Sequence, residues 1–508
     1  MKVPLWLDTT VVPSYHSLCE DLSVDVCIVG AGITGITLAY LLRDSGLKIA
    51  LIDSDQVIHG TTAYTTAKLT AGQGLIYQDL IQNVGYDGAK LYYESQQEAI
   101  DFVAKTIHDL KIDCDFVRLP HYVFTQEASN LSKFEAEYEA CRSLNMDCEL
   151  VESLDLPFPI EKAIAFKNQA QFHPLKYLVG LLKALAEYSN ISIFEHTTAC
   201  EMVFNEDQSS SIITSNGYKV NAKRVVQACH FPFYDDGSLL FSKIEMSHSY
   251  LIAVENASSL PHGMYISYES PTRSIRTYQN FLLIGGENHR PGTVKDTNEN
   301  YEALINFAKE KFQTDAISYE WSTQDVVSID HMPYIGRLHK DCLNQFVATG
   351  YCKWGMSNGT AAALLLNQLI RGMDSPYTAL FSPSRLNSKM AIKNLIAYNS
   401  KIAFEYIKGK LKLGEKNVEL GVDEATIIAT NEGNYGLYKD KEGLLYLVDI
   451  TCPHLGCELA FNMAERTWDC PCHGSRFSYT GEVIEGPAHQ ALSCHHNKMN
   501  PNIFRSDD

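Results

Sequence analysis

The first part of the chain alternates short apolar runs with helical patterns. Residues 24–30, VDVCIVG, form a β-branched run that ends in glycine, and apolar positions at helical spacing follow between residues 36 and 42. A second apolar run, LKIALID, ends at Asp53. This order of strand, glycine turn, helix and strand predicts a βαβ unit with parallel strands.

Further patterns continue through the first 400 residues. Helical spacing predicts helices over 87–112, 131–144, 174–188 and 298–313. Strand-like alternation fills residues 191–230 and recurs over 244–290. An α/β domain with additional strands is therefore expected.

The pattern changes near residue 412. Residues 389–411 place apolar residues near helical spacing, but Lys401, Glu405 and Lys408 interrupt them, which predicts a docking or linker helix rather than a membrane anchor. Short strands and turns follow. We therefore expect four segments: an N-terminal extension (1–22), an α/β domain (23–385), a linker helix (386–412) and a small all-β domain (413–508).

Charge and composition narrow the classes of function. The 508 residues include 61 acidic and 42 basic side chains, a formal net charge of −19. A nucleic-acid-binding protein usually presents a basic face, so no nucleic-acid partner is expected. The N-terminal residues lack a basic region followed by an apolar stretch, and no uncharged apolar run reaches about 18 residues. We expect a cytoplasmic chain without a membrane span.

Three glycines follow the first predicted strand in the pattern G-x-G-x-x-G. Gly30 permits a tight turn, Gly32 lets a pyrophosphate approach the backbone, and Gly35 allows close packing of helix and strand. Asp53 ends the second strand, where a carboxylate can bind a ribose hydroxyl. A dinucleotide site is predicted, and the alternative is an incidental glycine turn. The glycines do not decide between NAD and FAD.

Three later segments favour FAD. Residues 59–74 (HGTTAYTTAKLTAGQG), 224–230 (RVVQACH) and 330–359 resemble, in order and spacing, the FAD-contact segments of the D-amino-acid-oxidase-like flavoproteins, which include glycine and sarcosine oxidases. The resemblance implies that FAD contacts Thr61, Thr62, Lys68, Gly350, Gly355, Met356, Asn358 and Gly359.

One departure from this family lies after the third nucleotide-domain strand. The family often has Ala-Thr-Gly there, whereas this chain has Ala228-Cys229-His230, and His230 is interpreted as a turn residue. Some family members attach FAD through a cysteine. No cysteine lies in 320–335, so FAD is expected to bind non-covalently.

A dense cluster of cysteines and histidines lies in residues 451–477. Cys452 and His454 form C-x-H, and after fifteen intervening residues Cys470 and His473 form C-x-x-H. A closed zinc site is the alternative. The single residue within C-x-H is tighter than zinc-module spacing, and each loop carries an additional cysteine.

The cluster closely resembles the Rieske [2Fe–2S] module of respiratory proteins. That resemblance implies that Cys452 and Cys470 bind one iron and that His454 and His473 bind the other. It also implies a disulfide joining the two loops. The cysteines of this disulfide would be Cys457 and Cys472.

The surroundings of such a cluster tune its potential, which spans roughly −150 to +300 mV across the class. Ser475 matches the family serine that donates a hydrogen bond to a bridging sulfide. Phe477 stands where respiratory members usually have a tyrosine that donates to a ligand sulfur. A potential below that of the respiratory proteins is therefore expected.

Together the resemblances imply an α/β fold followed by an all-β domain. A Rossmann-like FAD-binding domain would carry an interleaved antiparallel-sheet substrate subdomain at about 244–320, and a Rieske domain would follow. FAD accepts two electrons and the cluster carries one. We expect a dehydrogenase that oxidises an amine or amino acid and passes electrons through the cluster to an external acceptor. The alternative is an electron-relay or redox-sensing protein without such a substrate.

The candidate catalytic residues come from the predicted substrate sheet and the last FAD segment. Arg276 is the candidate for a bidentate clamp on a substrate carboxylate, with Arg273 as second choice. Tyr250 is the candidate polar partner of the clamp. Lys353 is expected to face the flavin ring.

Overall fold

A computed structural model of the chain describes residues 2–235, 237–339, 341–386, 389–411, 414, 420–430 and 433–497. The predicted end of the linker helix (386–412) and both predicted ends of the all-β domain (413–508) therefore lie outside the described residues.

The helices of the described residues largely follow the sequence pattern. They are α1 (Leu5–Asp8), α2 (Ile33–Leu42), α3 (Tyr77–Leu110), α4 (Leu131–Ser143), α5 (Pro174–Leu185), α6 (Asn298–Phe312), α7 (Gly355–Ile370), α8 (Thr378–Phe381) and α9 (Lys389–Leu411). Helix α3 begins ten positions before the predicted start and bends at Gly85 (φ 77°). None of these helices combines the length and the apolar composition that crossing a bilayer requires.

The strands of the described residues form four sheets. They are β1 (Leu22–Val29), β2 (Ile49–Ile52), β3 (Lys68–Leu69), β4 (Val117–Thr125), β5 (Cys148–Val151), β6 (Lys162–Gln171), β7 (Ile191–Phe194), β8 (Ala199–Phe204), β9 (Ser210–Thr214), β10 (Lys219–Gln227), β11 (Ile244–Glu255), β12 (Met264–Ser267), β13 (Arg273–Tyr278), β14 (Phe281–His289), β15 (Ala316–Ser328), β16 (Tyr334–Arg337), β17 (Gln345–Thr349), β18 (Glu424–Thr430), β19 (Gly433–Lys439), β20 (Leu445–Asp449), β21 (Ala460–Asn462), β22 (Thr467–Asp469), β23 (Arg476–Ser478), β24 (Val483–Glu485) and β25 (Cys494–Asn497).

The first sheet is built around the glycine turn. Its path is β16-β17-β10-β1-β2-β7, and β17, β10, β1, β2 and β7 run parallel. Strand β1 is central, and its last four residues are buried because helices cover a parallel sheet on both faces. The carboxyl ends of β1, β2, β10 and β17 meet at one edge, where an open α/β sheet binds its ligand.

The second sheet is assembled from distant parts of the chain. Its path is β15-β11-β14-β13-β12-β4-β6-β3, and β5 pairs with β6. The predicted subdomain at about 244–320 supplies one half, and residues 68–171 supply the other half. The junction is the parallel pair β12 and β4, where Tyr265 lies opposite Tyr122.

The two faces of this second sheet pack against different partners. One face carries Ile252, Ile275 and Ile284, which form a core with α6. The other face carries Leu251 and Leu283, which join the large core of the nucleotide-binding part. A substrate held between sheet and nucleotide must therefore meet side chains of the second face.

The C-terminal part consists of two four-stranded antiparallel sheets, β18-β19-β20-β25 and β21-β22-β23-β24. Their shared core contains Trp468, Phe477 and the cysteines of the two loops. This part packs on the larger one through polar contacts: the Thr297 hydroxyl donates to Asn462 Oδ1 (2.7 Å) and the Tyr301 hydroxyl donates to Glu465 Oε1 (2.7 Å).

Candidate active site and cluster site

The glycine turn after β1 has the geometry that a dinucleotide requires. Gly30 has φ 108°, and a side chain there would collide with the Ala228 backbone. The Ala31 N–H donates to Asp53 Oδ2 at 2.6 Å, and the Asp55 N–H donates to Oδ1 at 3.0 Å. Burial raises the pKa of Asp53 to about 6, although these two hydrogen bonds oppose the shift. The carboxylate thus lies beside the turn, as a ribose ligand must.

The second and third glycines keep the start of α2 open. Gly32 is the N-terminal cap of α2, and a side-chain carbon there would lie 2.8 Å from Thr62 Oγ1. Gly35 packs directly on the Gly30 carbonyl. The Thr62 hydroxyl accepts a hydrogen bond from the Ile33 N–H at 3.1 Å. The predicted Thr62 contact therefore lies at the helix N-terminus, where a phosphate would be bound.

Helix α7 begins beside α2. The Thr34 and Tyr351 hydroxyls are 2.8 Å apart, and a side-chain carbon at Gly359 would lie 2.9 Å from Ile33 Cγ2. Gly359 therefore allows the two helices to cross closely. A side-chain carbon at Gly355, at the start of α7, would lie 4.0 Å from Tyr351 Cδ2, and Gly350 (φ 76°) turns the chain from β17 toward α7. Two helix N-termini thus converge on the predicted FAD site, which suits an anionic pyrophosphate.

Met356 and Asn358 lie beneath the first turn of α7. Both side chains are buried. The Asn358 amide donates to the Tyr351 carbonyl at 3.1 Å and approaches Gln73 Oε1 at 3.4 Å, while its own Oδ1 has no partner among the described residues. Asn358 can therefore hold the turn that precedes α7 while keeping one acceptor available.

Two buried cations lie on the face of the second sheet that meets the nucleotide-binding part. Arg276 donates through one Nη to the carbonyls of Thr66 (2.6 Å) and Ala67 (2.8 Å). Its Nε and other Nη have no partner among the described residues. Lys68 Nζ donates to the Tyr265 carbonyl (2.5 Å) and the Ser274 hydroxyl (2.8 Å).

No salt bridge to a carboxylate is found for either cation within the described residues. Burial lowers the pKa of Arg276 to about 9, and burial with the Arg276 charge lowers the pKa of Lys68 well below its ordinary value. Two buried cations without an acidic partner are costly, so the site fits an anionic ligand.

Aromatic and imidazole rings complete this region. His121 on β4 is buried, and neither ring nitrogen has a partner among the described residues. Burial and the Lys68 charge lower its pKa, so the ring is neutral. The Trp354 ring lies 5.5 Å from it. On the other side, the Trp6 ring of the N-terminal segment lies 5.4 Å from the Arg276 guanidinium and covers it.

Tyr250 is not brought together with Arg276. Tyr250 lies opposite Gly286, which lies opposite Arg273, so these positions share the α6 face of the sheet. The Tyr250 ring packs 4.9 Å from Tyr301, and its hydroxyl is 3.0 Å from His289 Nε2. Arg276 projects from the opposite face. The clamp and its predicted partner therefore belong to different surroundings.

Lys353 lies at the turn into α7. Cys352 (φ 52°) and Lys353 (φ 71°) both adopt left-handed backbone, and Lys353 Nζ donates to the Ser249 hydroxyl at 3.0 Å. Burial lowers the pKa of Lys353 to about 8, against the charge of Asp325. Across the sheet, Ala253 on β11 lies at the same level as Arg276, because both pair with Leu283. Ser249 is four positions from Ala253 on the same strand, a distance of about 13 Å. Lys353 and Arg276 thus lie at different ends of the same face.

The second candidate site is formed by the two cysteine-histidine loops. The Cys452 and Cys470 thiols interact, and the interaction with Cys470 is the main cause that lowers the pKa of Cys452 to about 7. The His454 and His473 rings are 5.0 Å apart, and His454 Nδ1 is buried without a partner in the described part of the chain. Two thiols and two imidazoles thus converge, as a two-iron cluster with mixed ligands requires.

The supporting contacts of this site also match the expectation. Cys457 and Cys472 form a disulfide between the two loops. The Ser475 hydroxyl contacts Cys452 and accepts a hydrogen bond from the Ala488 N–H at 3.0 Å, which joins a third loop to the site. Phe477 is fully buried in the same core.

Both histidines of the second site face the larger part of the chain. The Phe231 ring lies 6.2 Å from the His454 ring and 6.4 Å from the His473 ring. The Phe241 ring lies 5.9 Å from His473, which is only 3% exposed. The larger part of the chain therefore covers His473, while His454 stays partly exposed beside Phe231.

Gln324 on β15 bridges the two candidate sites. Its carbonyl accepts a hydrogen bond from the Thr61 hydroxyl at 3.2 Å. Its side-chain amide donates to the Gly474 carbonyl at 2.8 Å, next to His473. One residue thus contacts both a predicted FAD-contact segment and a cluster-binding loop.

A buried polar group closes the interface. Arg476 Nε lies 3.3 Å from Asp469 Oδ1, and one Nη lies 3.8 Å from Glu485 Oε2. Glu485 Oε1 in turn lies 3.9 Å from His230 Nε2. Burial raises the pKa of Glu485 to about 7 and lowers the pKa of His230 to about 4. His230, interpreted from the sequence as a turn residue, does occupy a turn (φ 67°), and it also lies at this interface.

Several site residues were missed by sequence reasoning. Phe231, Phe241, Gln324 and His121 belong to no motif, and an isolated phenylalanine or glutamine is indistinguishable from a core residue. Only the departure at His230 pointed to the region that meets the C-terminal part.

Comparison with known proteins assigns both parts. Residues 25–369 match the family described as FAD dependent oxidoreductase, and residues 413–496 match the Rieske [2Fe–2S] domain. The chain is 38% identical over 492 residues to the protein named "Putative Rieske 2Fe-2S iron-sulfur protein YhfW" of Bacillus subtilis strain 168, a match that covers 96% of each chain.

Two further likenesses concern the larger part. The chain is 21% identical over 387 residues to gamma-glutamylputrescine oxidoreductase of Escherichia coli strain K12, covering 70% of this chain and 86% of that protein. Glycine oxidase from Geobacillus kaustophilus has the same fold, with a TM-score of 0.61 at 16% identity over 72% of this chain and 99% of that chain.

The matches agree with the sites. The open glycine turn fits FAD, and the thiol and imidazole set fits a [2Fe–2S] cluster. The chain is an enzyme that binds both cofactors. It belongs to the FAD-dependent oxidoreductase family and carries a Rieske [2Fe–2S] domain at residues 413–496.

Proposed function

We propose that this enzyme is a dehydrogenase that oxidises an amine or amino acid and delivers the electrons through its cluster to an external acceptor. FAD supplies two-electron oxidation and the cluster supplies one-electron transfer. The observation that carries the proposal is the contact between the two sites, where Phe231 packs on His454 and His473 and Phe241 packs on His473.

The residues of the interface hold the two parts in register. Gln324 contacts Thr61 on one side and Gly474 on the other, so a shift of either loop would break one of its hydrogen bonds. Glu485 Oε1 of the Rieske domain lies 3.9 Å from His230 Nε2 of the larger part. An ordered contact of this kind keeps donor and acceptor at constant separation.

Arg276 and Lys68 support a substrate that carries a carboxylate. Arg276 offers two unpartnered N–H groups on the face of the sheet that meets the nucleotide-binding part. A carboxylate can accept both in a planar pair, which also neutralises the buried charge. Trp6 excludes water from this position because it covers the guanidinium.

The residue spans of the four segments, 1–22, 23–385, 386–412 and 413–508, are part of the same proposal.

An anaerobic titration tests the proposed function. Adding dithionite should introduce about three electrons per chain, two to FAD and one to the cluster. A panel of amines and amino acids should then include compounds that bleach the flavin and produce the cluster's electron paramagnetic resonance signal. Cys452→Ser, which removes an iron ligand, should retain substrate-driven bleaching and lose the signal. Flavin that is reduced while an intact cluster stays oxidised would contradict the proposal.

A further inference from the structure

Helix α9 presents an apolar face to solvent. Its outward side carries Ile392, Ile396, Phe404, Ile407 and Leu411, each between 50% and 75% exposed. At 100° per residue these five positions lie within one third of the helix circumference. The opposite side packs inward through Ala391 and Tyr398, and Ile402 packs against the core of the Rieske domain. The helix is therefore apolar on two opposite faces, and one of them is exposed.

The charge of this helix is opposite to that of the whole chain. Residues 389–411 contain five lysines and one acidic residue, Glu405, whereas the full chain has a net charge of −19. Lys393 and Lys410 are exposed within the same outward half, and Lys401 is exposed just beyond its edge. Lys408 is also exposed and lies 3.2 Å from Glu405. An apolar stripe edged by lysines is the pattern of helices that lie in the surface of an anionic bilayer.

We propose that the outward face of α9 docks on the surface of a lipid bilayer that contains anionic headgroups. The five apolar side chains would enter the boundary between headgroups and acyl chains, and the lysines would contact phosphate. A second copy of this chain is a poorer occupant, because pairing two such helices brings their lysines together. The lysines within the helix also explain why it would lie on the membrane rather than cross it.

The docked helix would bring the cluster-binding loop near the membrane. Gly456 lies against the Tyr406 ring, and Gly409 lies against Glu458, so the C-terminal half of α9 supports this loop. Leu455, next to His454, is 53% exposed. On the basis of the proposed function, the external electron acceptor would then be a redox carrier resident in the membrane.

Vesicle binding by the full chain with both cofactors tests the proposal without redox chemistry. The probes are vesicles of phosphatidylcholine alone and of phosphatidylcholine with an equal part of phosphatidylglycerol, examined by co-sedimentation. Binding should be at least about tenfold stronger to the anionic vesicles and should weaken with salt. Ile396→Asp with Ile407→Asp should lower it at least about tenfold, and so should Lys393→Glu with Lys410→Glu, which reverses the two lysines of the outward half.

A matched control distinguishes binding through the outward face of α9 from non-specific binding through any exposed apolar side chain. Leu343→Asp changes another exposed apolar side chain, 55% exposed and distant in sequence from α9, and should leave binding unchanged. Equal affinity for both vesicle types, or loss of binding in Leu343→Asp as well, would overturn the proposal. A chain that ignores vesicles but forms dimers that Ile396→Asp dissociates would also overturn it. These outcomes are independent of the reductive titration, so either proposal can fail alone.

Discussion

At the scale of single residues, the alternation of side chains along β13 decides which arginine can meet a substrate. Arg273 and Arg276 are three positions apart, so their side chains leave opposite faces of the sheet. Arg273 lies 2.5 Å from Glu287 on the α6 side, whereas Arg276 keeps two N–H groups unpartnered on the other side. The two residues form a natural pair of test and control.

Arg276→Ala should raise the KM for a carboxylate substrate about a hundredfold, since the loss of a buried charge pair costs a few kcal/mol. Steady-state kinetics with an artificial one-electron acceptor measures the effect. Arg276→Lys, which retains the charge without the planar fork, should fall in between.

Arg273→Ala is the control for this experiment and should change KM less than about threefold. Flavin absorbance of each variant checks that the fold holds its cofactor. An unchanged KM in Arg276→Ala with full flavin content would contradict the clamp.

The cluster surroundings allow a second prediction at this scale. Phe477 is fully buried in the core that contains Cys452 and Cys470. Phe477→Tyr adds a hydroxyl that can donate to a ligand sulfur, which stabilises the reduced cluster and should raise its midpoint potential. Redox titration monitored by electron paramagnetic resonance measures the change. Phe477→Leu, which adds no donor, should not raise the potential; a lowered or unchanged value in Phe477→Tyr would disprove the idea.

At the scale of residues, the sequence predicts the site correctly where the spacing of a motif determines which residues meet. The glycines of the turn and the paired cysteines lie where their motifs indicate. Tyr250 is predicted to be the polar partner of Arg276, but the face of the sheet that Tyr250 takes depends on a strand register that sequence does not reveal. His121 becomes a site residue only because β4 and β12 pair.

At the scale of elements, two helices have their first turn capped by side chains that are not among the usual N-cap residues. The Glu137 carboxylate accepts hydrogen bonds from the N–H groups of Ile76 (2.8 Å), Tyr77 (2.7 Å) and Gln78 (2.8 Å). This distant residue of α4 satisfies the first turn of α3. The early start of α3 could not be predicted for that reason, since the cap is not adjacent in sequence.

Histidine caps the other helix. His173 Nδ1 accepts the Lys176 N–H at the start of α5, and Nε2 lies 3.0 Å from the Thr9 hydroxyl of the N-terminal segment. Burial lowers the pKa of His173 to about 4, and the Lys176 charge contributes. The cap therefore needs the neutral ring, whose Nε2–H faces the segment that carries Trp6.

This arrangement predicts a pH dependence of stability. The unfolded histidine has a pKa of about 6.5, so between pH 6.5 and 4 the unfolded state binds a proton that the folded state does not. Stability should be complete above that window and fall by up to about 3 kcal/mol as the pH drops through it. Hydrogen exchange of the α1 and α5 amides at several pH values measures the local opening free energy.

His173→Asn is the comparison for the pH experiment. Asparagine can accept the same N–H but does not titrate in this range. The variant should be less stable than the wild type near neutral pH and should lose less stability on acidification. Equal acid dependence in both proteins would remove His173 as the cause.

At the scale of the whole molecule, a few buried hydrogen bonds hold the Rieske domain to the larger part. The Thr297 hydroxyl donates to Asn462 and accepts from the Ala464 N–H at 2.9 Å, and the Tyr301 hydroxyl donates to Glu465. All three contacts involve the start of α6. That region therefore controls how the cluster edge meets Phe231 and Phe241.

Removing these bonds should loosen the domain contact. Thr297→Val with Tyr301→Phe removes the acceptor of the Ala464 N–H and a donor to the buried Glu465 carboxylate, at about 1–3 kcal/mol each. We expect electron delivery to the cluster to slow at least about tenfold while substrate-driven flavin reduction keeps its rate. Stopped-flow absorbance resolves the two steps.

Tyr319→Phe is the matched control. It removes a tyrosine–carboxylate hydrogen bond to Asp8 that lies away from the Rieske domain. Both rates should stay as in the wild type. An unchanged second step in the double variant would show that these contacts do not set the productive geometry.

The sequence predicts least about the whole molecule, namely which distant strands pair and how the two parts meet. The presence of two parts follows from the change in pattern near residue 412, since each part has its own periodicity. The second sheet could not be foreseen in full, because β4 and β12 pair across more than a hundred residues. The interface is likewise formed by single residues from several segments, which no local pattern connects.

The packing of His454 and His473 on Phe231 and Phe241 has a kinetic consequence. Two separate proteins exchange electrons at a rate set by collision, and therefore by concentration and ionic strength. A partner carried on the same chain replaces collision with a first-order step whose rate is independent of dilution. A cell could not slow the proposed internal electron transfer by lowering the concentration of a separate electron-carrier protein. Supply of the organic donor at one end, and of oxidant at the other, would remain as the points of control.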